Sequence, residues 1–309
     1  MKTKKINLYL MLVAMLTLSL GFTSCDDDED AKPKSNTIVD IAVSDPNFSI
    51  LVQALTKAKL VSTLNGSTEY TVFAPTNAAF VALLAELKLS SLDDIPESEL
   101  KKILLYHVVG GTNKSTALST GYYPSASEKQ AGYFYSIYFN KETLMLNNRA
   151  KVTKADVMAD NGVIHVIDKV ITPQSITDHA IANPGLSSLT AAVVKAELAG
   201  TLDDDKNNFT VFAPTDAAFS ALFTTLNTTL ACLSKEALTP ILLYHVVNGF
   251  VPAANVKTGS VPTLAESNIS IVANANGVTL NNSANVVLTD VVATNGIIHV
   301  IDKVILPPA

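Results

Sequence analysis

Two nearly identical stretches carry the residues best suited to chemistry. NGVIHVIDKVI runs from Asn161 to Ile171, and NGIIHVIDKVI runs from Asn295 to Ile305. Each holds a histidine and an aspartate three residues apart, His165 with Asp168 and His299 with Asp302. A His–Asp pair is the orienting half of a general-base system, and the same side-chain types hold metals. In a β-strand, however, residues three apart point to opposite faces and lie about 10 Å apart along the chain. They can neither share a proton nor converge on one ion, whose ligands lie within about 2 Å of it. Val163, Ile164, Val166, Ile167, Val170 and Ile171 are apolar on both faces, as in a buried central strand. His165, Asp168, His299 and Asp302 are therefore expected to satisfy hydrogen bonds inside the fold.

His107 and His245 pose the same question. Leu100, Ile103, Leu104 and His107 fall at i, i+3, i+4 and i+7, so His107 shares an apolar helical face. A buried histidine there stays neutral on one hydrogen bond. His245 repeats the pattern, although Pro240 interrupts its segment, and that helix is expected to start or bend at the proline. A metal held by the two histidines of one copy stays open as an alternative, without a third His or Cys at fixed spacing to support it. Asp203, Asp204 and Asp205 lack EF-hand spacing and read as a solvated loop. The chain contains no nucleophile elbow, phosphate loop or HExxH pattern. An enzyme is not expected, nor a cofactor or metal.

These residues sit in a repeated frame. TVFAPTNAAF at 71–80 returns as TVFAPTDAAF at 210–219, ILLYHVV at 103–109 returns at 241–247, and Asn147–Asn148 returns at 281–282. A unit of roughly 135 residues is far longer than a solenoid repeat and large enough to fold alone. The chain is 48% apolar and 16% charged over 309 residues, enough for two ordinary cores. Each copy opens with an N-cap and an N1 proline, Asp45–Pro46 or Asn183–Pro184. Phe48, Leu51, Val52 and Leu55, or Leu186, Leu189 and Val193, then line one helical face. A short strand ends at Pro75 or Pro214, and Thr76 or Asn77 (Thr215 or Asp216) caps a second helix. Phe80, Leu83, Leu84 and Leu87 align on that helix, as do Phe219, Leu222, Phe223 and Leu226 in copy two. After a third helix the pattern turns to β. Helices first and strands afterwards argue α+β. Only TPQS, at 172–175, separates the copies, so they are expected to touch.

The ordered set TVFAPTNAAF, the central YH and the closing NGxIHVIDKVI, found twice between residues 37 and 308, resembles the fasciclin-type adhesion domain. The resemblance implies two tandem domains, 37–173 and 174–309, each a wedge of two β-sheets with packed helices. It further implies extracellular adhesion through proteins or glycans, without catalysis, and makes the YH element a packing motif.

One region breaks the symmetry. Residues 121–140 of copy one hold Tyr122, Tyr123, Tyr133, Tyr135 and Tyr138, five of the nine tyrosines, whereas GSVPTLAESNISIVAN in copy two has no aromatic residue. Two readings stand side by side. The rings fill the sheet, or they form a contact surface, since rigid amphipathic rings suit protein hot spots and sugar faces.

The first residues follow a different logic. A basic start and the apolar INLYLMLVAMLTLSLG lead to FTSC, which resembles a bacterial lipobox with cleavage after residue 24 and lipid on Cys25. The run DDDED then resembles the acidic tag of lipoproteins that Bacteroidetes-type bacteria export to the cell surface. An acidic spacer on a periplasmic lipoprotein is the alternative. Residues 25–36 form the spacer, and the expected mature chain carries 19 basic and 28 acidic residues, a net of −9. That excess of acid disfavours nucleic acid, whose phosphates need Lys and Arg. With Cys25 lipidated, Cys232 stands alone and is expected as a small buried hydrophobe. The expectation is an outer-membrane, surface-exposed lipoprotein that binds an extracellular protein or glycan. The alternative is a non-catalytic envelope scaffold or accessory protein of a glycan-uptake system.

Overall fold

The computed structural model describes residues 36–204 and 206–308. The signal-like segment 1–24, Cys25, the acidic run behind it and Asp205 lie outside the described residues. Each copy begins with helices. Thr37 caps α1 (Ile38–Ser44) in a capping box with Asp40. The Asp45 carboxylate then accepts from Asn47 N as Pro46 opens a 3-10 turn into α2 (Ser49–Lys57). Phe48, Leu51 and Leu55 are buried, as aligned in the sequence. After α3 (Val61–Leu64) come β1 (Tyr70–Pro75), α4 (Asn77–Leu87) and α5 (Glu97–Tyr106). Five strands of one sheet system and a last central strand follow. They are β2 (Val108–Gly110), β3 (Gly121–Gln130), β4 (Tyr133–Asn140), β5 (Met145–Leu146), β6 (Ala150–Ala159) and β7 (Gly162–Ile167). Copy two repeats this order with α6 (Ile176–Ala182), α7 (Ser187–Lys195), α8 (Ala199–Leu202), β8 (Phe209–Pro214), α9 (Asp216–Thr225) and α10 (Lys235–Tyr244). Its remaining strands are β9 (Val246–Asn248), β10 (Gly259–Pro262), β11 (Asn268–Asn274), β12 (Gly277–Leu280), β13 (Ala284–Ala293) and β14 (Gly296–Ile301). The class is α+β.

In both copies the first strand lies parallel to the last, β1 beside β7 and β8 beside β14, with the other ladders antiparallel. The long strand before the last belongs to two sheets. Register shifts at Val152/Lys154 and Lys154/Val157 in β6, and at Val286/Leu288 and Leu288/Val291 in β13, let it bend from one sheet into the other. Gly162 has φ +146, and a Cβ there would lie 1.9 Å from Tyr70 O. The close approach of β7 to β1 therefore requires glycine.

The two sheets differ in closure. In copy one the seven strands close through β2 and β3, where Val109 pairs with Ser125. In copy two the sheet stays open between β9 and β10. Pro124 pairs with Ser136 but Pro262 pairs with Asn268, so the β3–β4 hairpin is six residues longer than its counterpart. The added length lets β3 run on to Gln130, while β10 stops at Pro262.

Three expectations are corrected here. The helix does not start at Pro240, because α10 begins at Lys235, capped by Ser234, and runs through the proline. Leu87 and Leu226 are 47% and 49% exposed, since they fall at the last turn and the C-cap of their helices, past the elements those helices pack on. Cys232 is exposed and not buried. It closes a 3-10 turn, Leu230–Cys232, in which Leu230 and Leu233 pack on the core and the thiol is turned away. A hydrogen bond from Thr229 favours its thiolate form.

Candidate functional site at the junction of the copies

The repeated polar residues sit in separate places, each tied to backbone. His107 ends α5, where its Nδ1 donates to Ile103 O at 2.7 Å and its Nε2 accepts from Ile171 N at 3.0 Å. His245 makes the same two bonds to Ile241 O and Ile305 N. Burial lowers both to about 4, so both rings are neutral at pH 7. His165 Nε2 donates to Asn113 O at 2.9 Å, and Nδ1 faces Asp156 N; His299 does likewise with Val251 O and Asp290 N. Burial also lowers His299. Asp168 lies just past β7 and accepts from Lys151 N at 2.7 Å, as Asp302 accepts from Asn285 N at 2.7 Å. No group of three or more His, Cys, Asp or Glu able to hold a metal occurs among the described residues. Asp203 accepts from Thr177, and Asp204 accepts from Lys206 N and Asn207.

The five tyrosines are gathered elsewhere. On β4, Tyr135 points with Ile137 and Phe139 into the core of copy one and meets Tyr106 edge-on. Tyr138 is buried against Tyr122 at 5.0 Å between ring centroids. Tyr123 is half-buried, its hydroxyl taken by Ser119. Tyr122 and Tyr133 reach copy two: Tyr122 packs on His179 and donates to its carbonyl, and Tyr133 meets Phe250 edge-on at 5.5 Å. The rings are core and junction, with no open aromatic face. Phe134 is the exposed ring of the segment, at 38%.

The junction is also bridged by polar contacts. Ser136 Oγ accepts from Val292 N at 3.0 Å, and Lys129 Nζ donates to Thr294 O. Val292 and Ile297 of copy two complete the core of copy one. Beside these contacts opens a polar cleft of ≈550 Å³, lined from copy one by Lys102 and Tyr135, from the linker by Pro173 and Ser175, and from copy two by Asp178, Asp203 and Thr294. Lys102 lies 5.6 Å from the Tyr135 ring centre and Lys129 lies 5.5 Å from that of Phe250. Burial, reinforced by the Lys102 charge, lowers Lys129 to about 8. A ring, a lysine and two carboxylates around one opening suit a polar ligand of mixed charge or many hydroxyls.

Sequence reasoning overlooked His179, Lys102, Lys129 and Asp178. His179 is fully buried and held neutral, lowered to about 4 by burial against a smaller opposing pull from the Val292 backbone, and neither ring nitrogen makes a hydrogen bond of good geometry. Its signal was available: α1 and α6 begin at Ile38 and Ile176, so Ile41 of copy one stands where copy two has His179.

A fasciclin domain model matches residues 46–173 and again 184–307. Human periostin is 30% identical over 253 residues, covering 81% of this chain and 30% of periostin. Protein sll1483 of a Synechocystis strain is 38% identical over 161 residues, covering 52% of this chain and 87% of that protein. The chain thus spans under a third of the length of periostin. The solved FAS1 domain pair of the insect cell adhesion molecule fasciclin I superposes with a TM-score of 0.51 at 20% identity, covering 82% of this chain and 95% of that one.

Proposed function

The chain belongs to the fasciclin-domain family, and from that premise we propose that it is a non-catalytic, lipid-anchored surface protein that binds an extracellular protein or glycan. The observation that carries the proposal is the polar cleft between the copies, with Lys102, Tyr135, Asp178 and Asp203 around it. The kinship with periostin and with an insect cell adhesion molecule supports the adhesive role. In this reading a signal at 1–24 is removed, Cys25 is acylated, residues 25–36 form the spacer, and domains at 37–173 and 174–309 present the cleft. The tyrosines act mostly by holding the two walls together, with the buried Tyr135 ring forming part of the cleft wall beside Lys102.

The test is binding of the purified chain to a panel of glycans and matrix proteins, beside Lys102→Ala and Asp178→Asn. A ligand weakened about tenfold or more by either change, with folding intact, supports the cleft. A ligand indifferent to both moves the site off the junction, and an empty panel removes the adhesive reading. Protease applied to intact cells separates surface from periplasm. Protection of the chain would turn the reading to an envelope scaffold or a component of glycan uptake.

A further inference from the structure

The internal comparison of the copies exposes a second site. Thr71, Asn113, Leu118, Ser119, Gly121 and Tyr123 of copy one stand where copy two has Thr210, Val251, Val256, Lys257, Gly259 and Val261. The hydrogen bonds fix that correspondence. Thr71 accepts from Asn113 N as Thr210 accepts from Val251 N, and the two glycines share φ near +158. Tyr123 and Val261 then pair with Ile137 and Ile269 in equivalent ladders.

In copy one the Tyr123 ring packs on the core, and its hydroxyl accepts from Ser119 N and donates to Ser119 O, both at 2.9 Å. In copy two the tyrosine is a valine, Leu118 is Val256, and Phe139 is Ile271. The volume is left open as a cavity of ≈180 Å³ over Phe212, Val247 and Ile271, with Lys257 at its mouth. An aliphatic-lined cavity of about 150 Å³ holds a benzene molecule. Among the described residues no group bonds the Lys257 N–H or C=O, the two groups that in copy one receive the tyrosine hydroxyl. Thr210, by contrast, is satisfied by Gly249 O and Val251 N, so the floor is apolar and asks for no polar partner.

We infer that copy two carries a binding site for a phenol ring, shaped as the negative of the Tyr123 side chain of copy one. The ring lies on Phe212 and Ile271, and the hydroxyl takes the place of the Tyr123 hydroxyl at the Lys257 backbone. The inference stands apart from the cleft and does not depend on it.

Titration of the full chain with p-cresol, followed by methyl NMR and by Tm, tests it. The expected result is saturable shifts of the Val247, Val256, Val261 and Ile271 methyls, a Tm that rises with ligand concentration, and toluene binding about tenfold more weakly. Toluene equal to p-cresol would overturn the hydroxyl site without any variant. Shifts elsewhere, or none, would overturn the cavity. Val261→Tyr should abolish binding and raise Tm unliganded, and Tyr123→Val should add a second equivalent of p-cresol. Persisting cavity shifts in folded Val261→Tyr would overturn the assignment. N-acetyltyrosine amide separates the sources: displacement of p-cresol points to a tyrosine of a partner protein, and no displacement points to a free phenol.

Discussion

At the scale of single residues, the repeated polar positions are fasteners. Tyr106 donates to Ser136 O and receives Asn147, whose own backbone bends through φ +52, and Tyr244 with Asn281 does the same. Asn161 accepts from Ile38 N and donates to Leu64 O and Gly66 O, drawing the first helices onto the end of the last strand. Each lies between elements that backbone ladders do not join. Buried groups in such places must be paired or they cost about 1–3 kcal/mol each. The histidines add a pH dependence. His107, His179 and His245 stay neutral when folded down to about 4, against an ordinary value near 6.5. Between those values the unfolded chain binds protons that the folded chain refuses. Their stabilisation is therefore complete above pH 6.5 and is lost as pH falls toward 4, at up to about 1.4 kcal/mol per pH unit for each ring. Urea midpoints at pH 7, 6 and 5 should fall accordingly. His179→Ile, the residue type of copy one, should flatten that slope measurably, and an unchanged slope would clear His179 of the effect.

Helices and strands were legible where one element decides its own fate. Proline-ended strands, N-caps and apolar faces follow from local rules, so both helical openings and the central strands appear where the pattern placed them. Legibility failed where a neighbouring element decides. The capping residue of α4 is Thr76, and Asn77 beside it serves a different helix. Its Oδ1 accepts from Ile50 N at 2.9 Å, and its Nδ2 donates to Pro46 O and Ser49 Oγ, so it caps α2 from across the fold. Asp216 does the same for α7 through Ser187 and Ser188 N. Asn77→Ala should cost about 1 kcal/mol in chemical denaturation. Asn77→Asp, which imports the solution of copy two, should leave the midpoint nearly unchanged, and an equal loss in both would refute the capping role.

Across the whole molecule, the tandem order and the α+β class were plain from three motifs occurring twice. The junction was not. Its bonds join Tyr122 to His179, Ser136 to Val292 and Lys129 to Thr294, residues 57, 156 and 165 apart in sequence. Periodicity reports which face of an element is buried but not which partner buries it, so the tyrosines could be read as core or as surface. The parallel strand pair has a consequence of its own for a chain under load. In copy one the six residues from Tyr70 to Pro75 run beside Gly162 to Ile167 in the same direction. Tension entering ahead of β1 and leaving beyond β7 pulls the two strands lengthwise past one another. The cross-strand bonds must then fail together and not one after another, as they would if a hairpin were peeled from its open end. Copy two repeats the arrangement with β8 and β14. Stretched from its ends in a force spectrometer, the chain should rupture in two abrupt steps of similar height, and a gradual low-force extension would contradict this reading. A chain built this way should resist a pull along its length more strongly than a pull that peels its strands apart from the side.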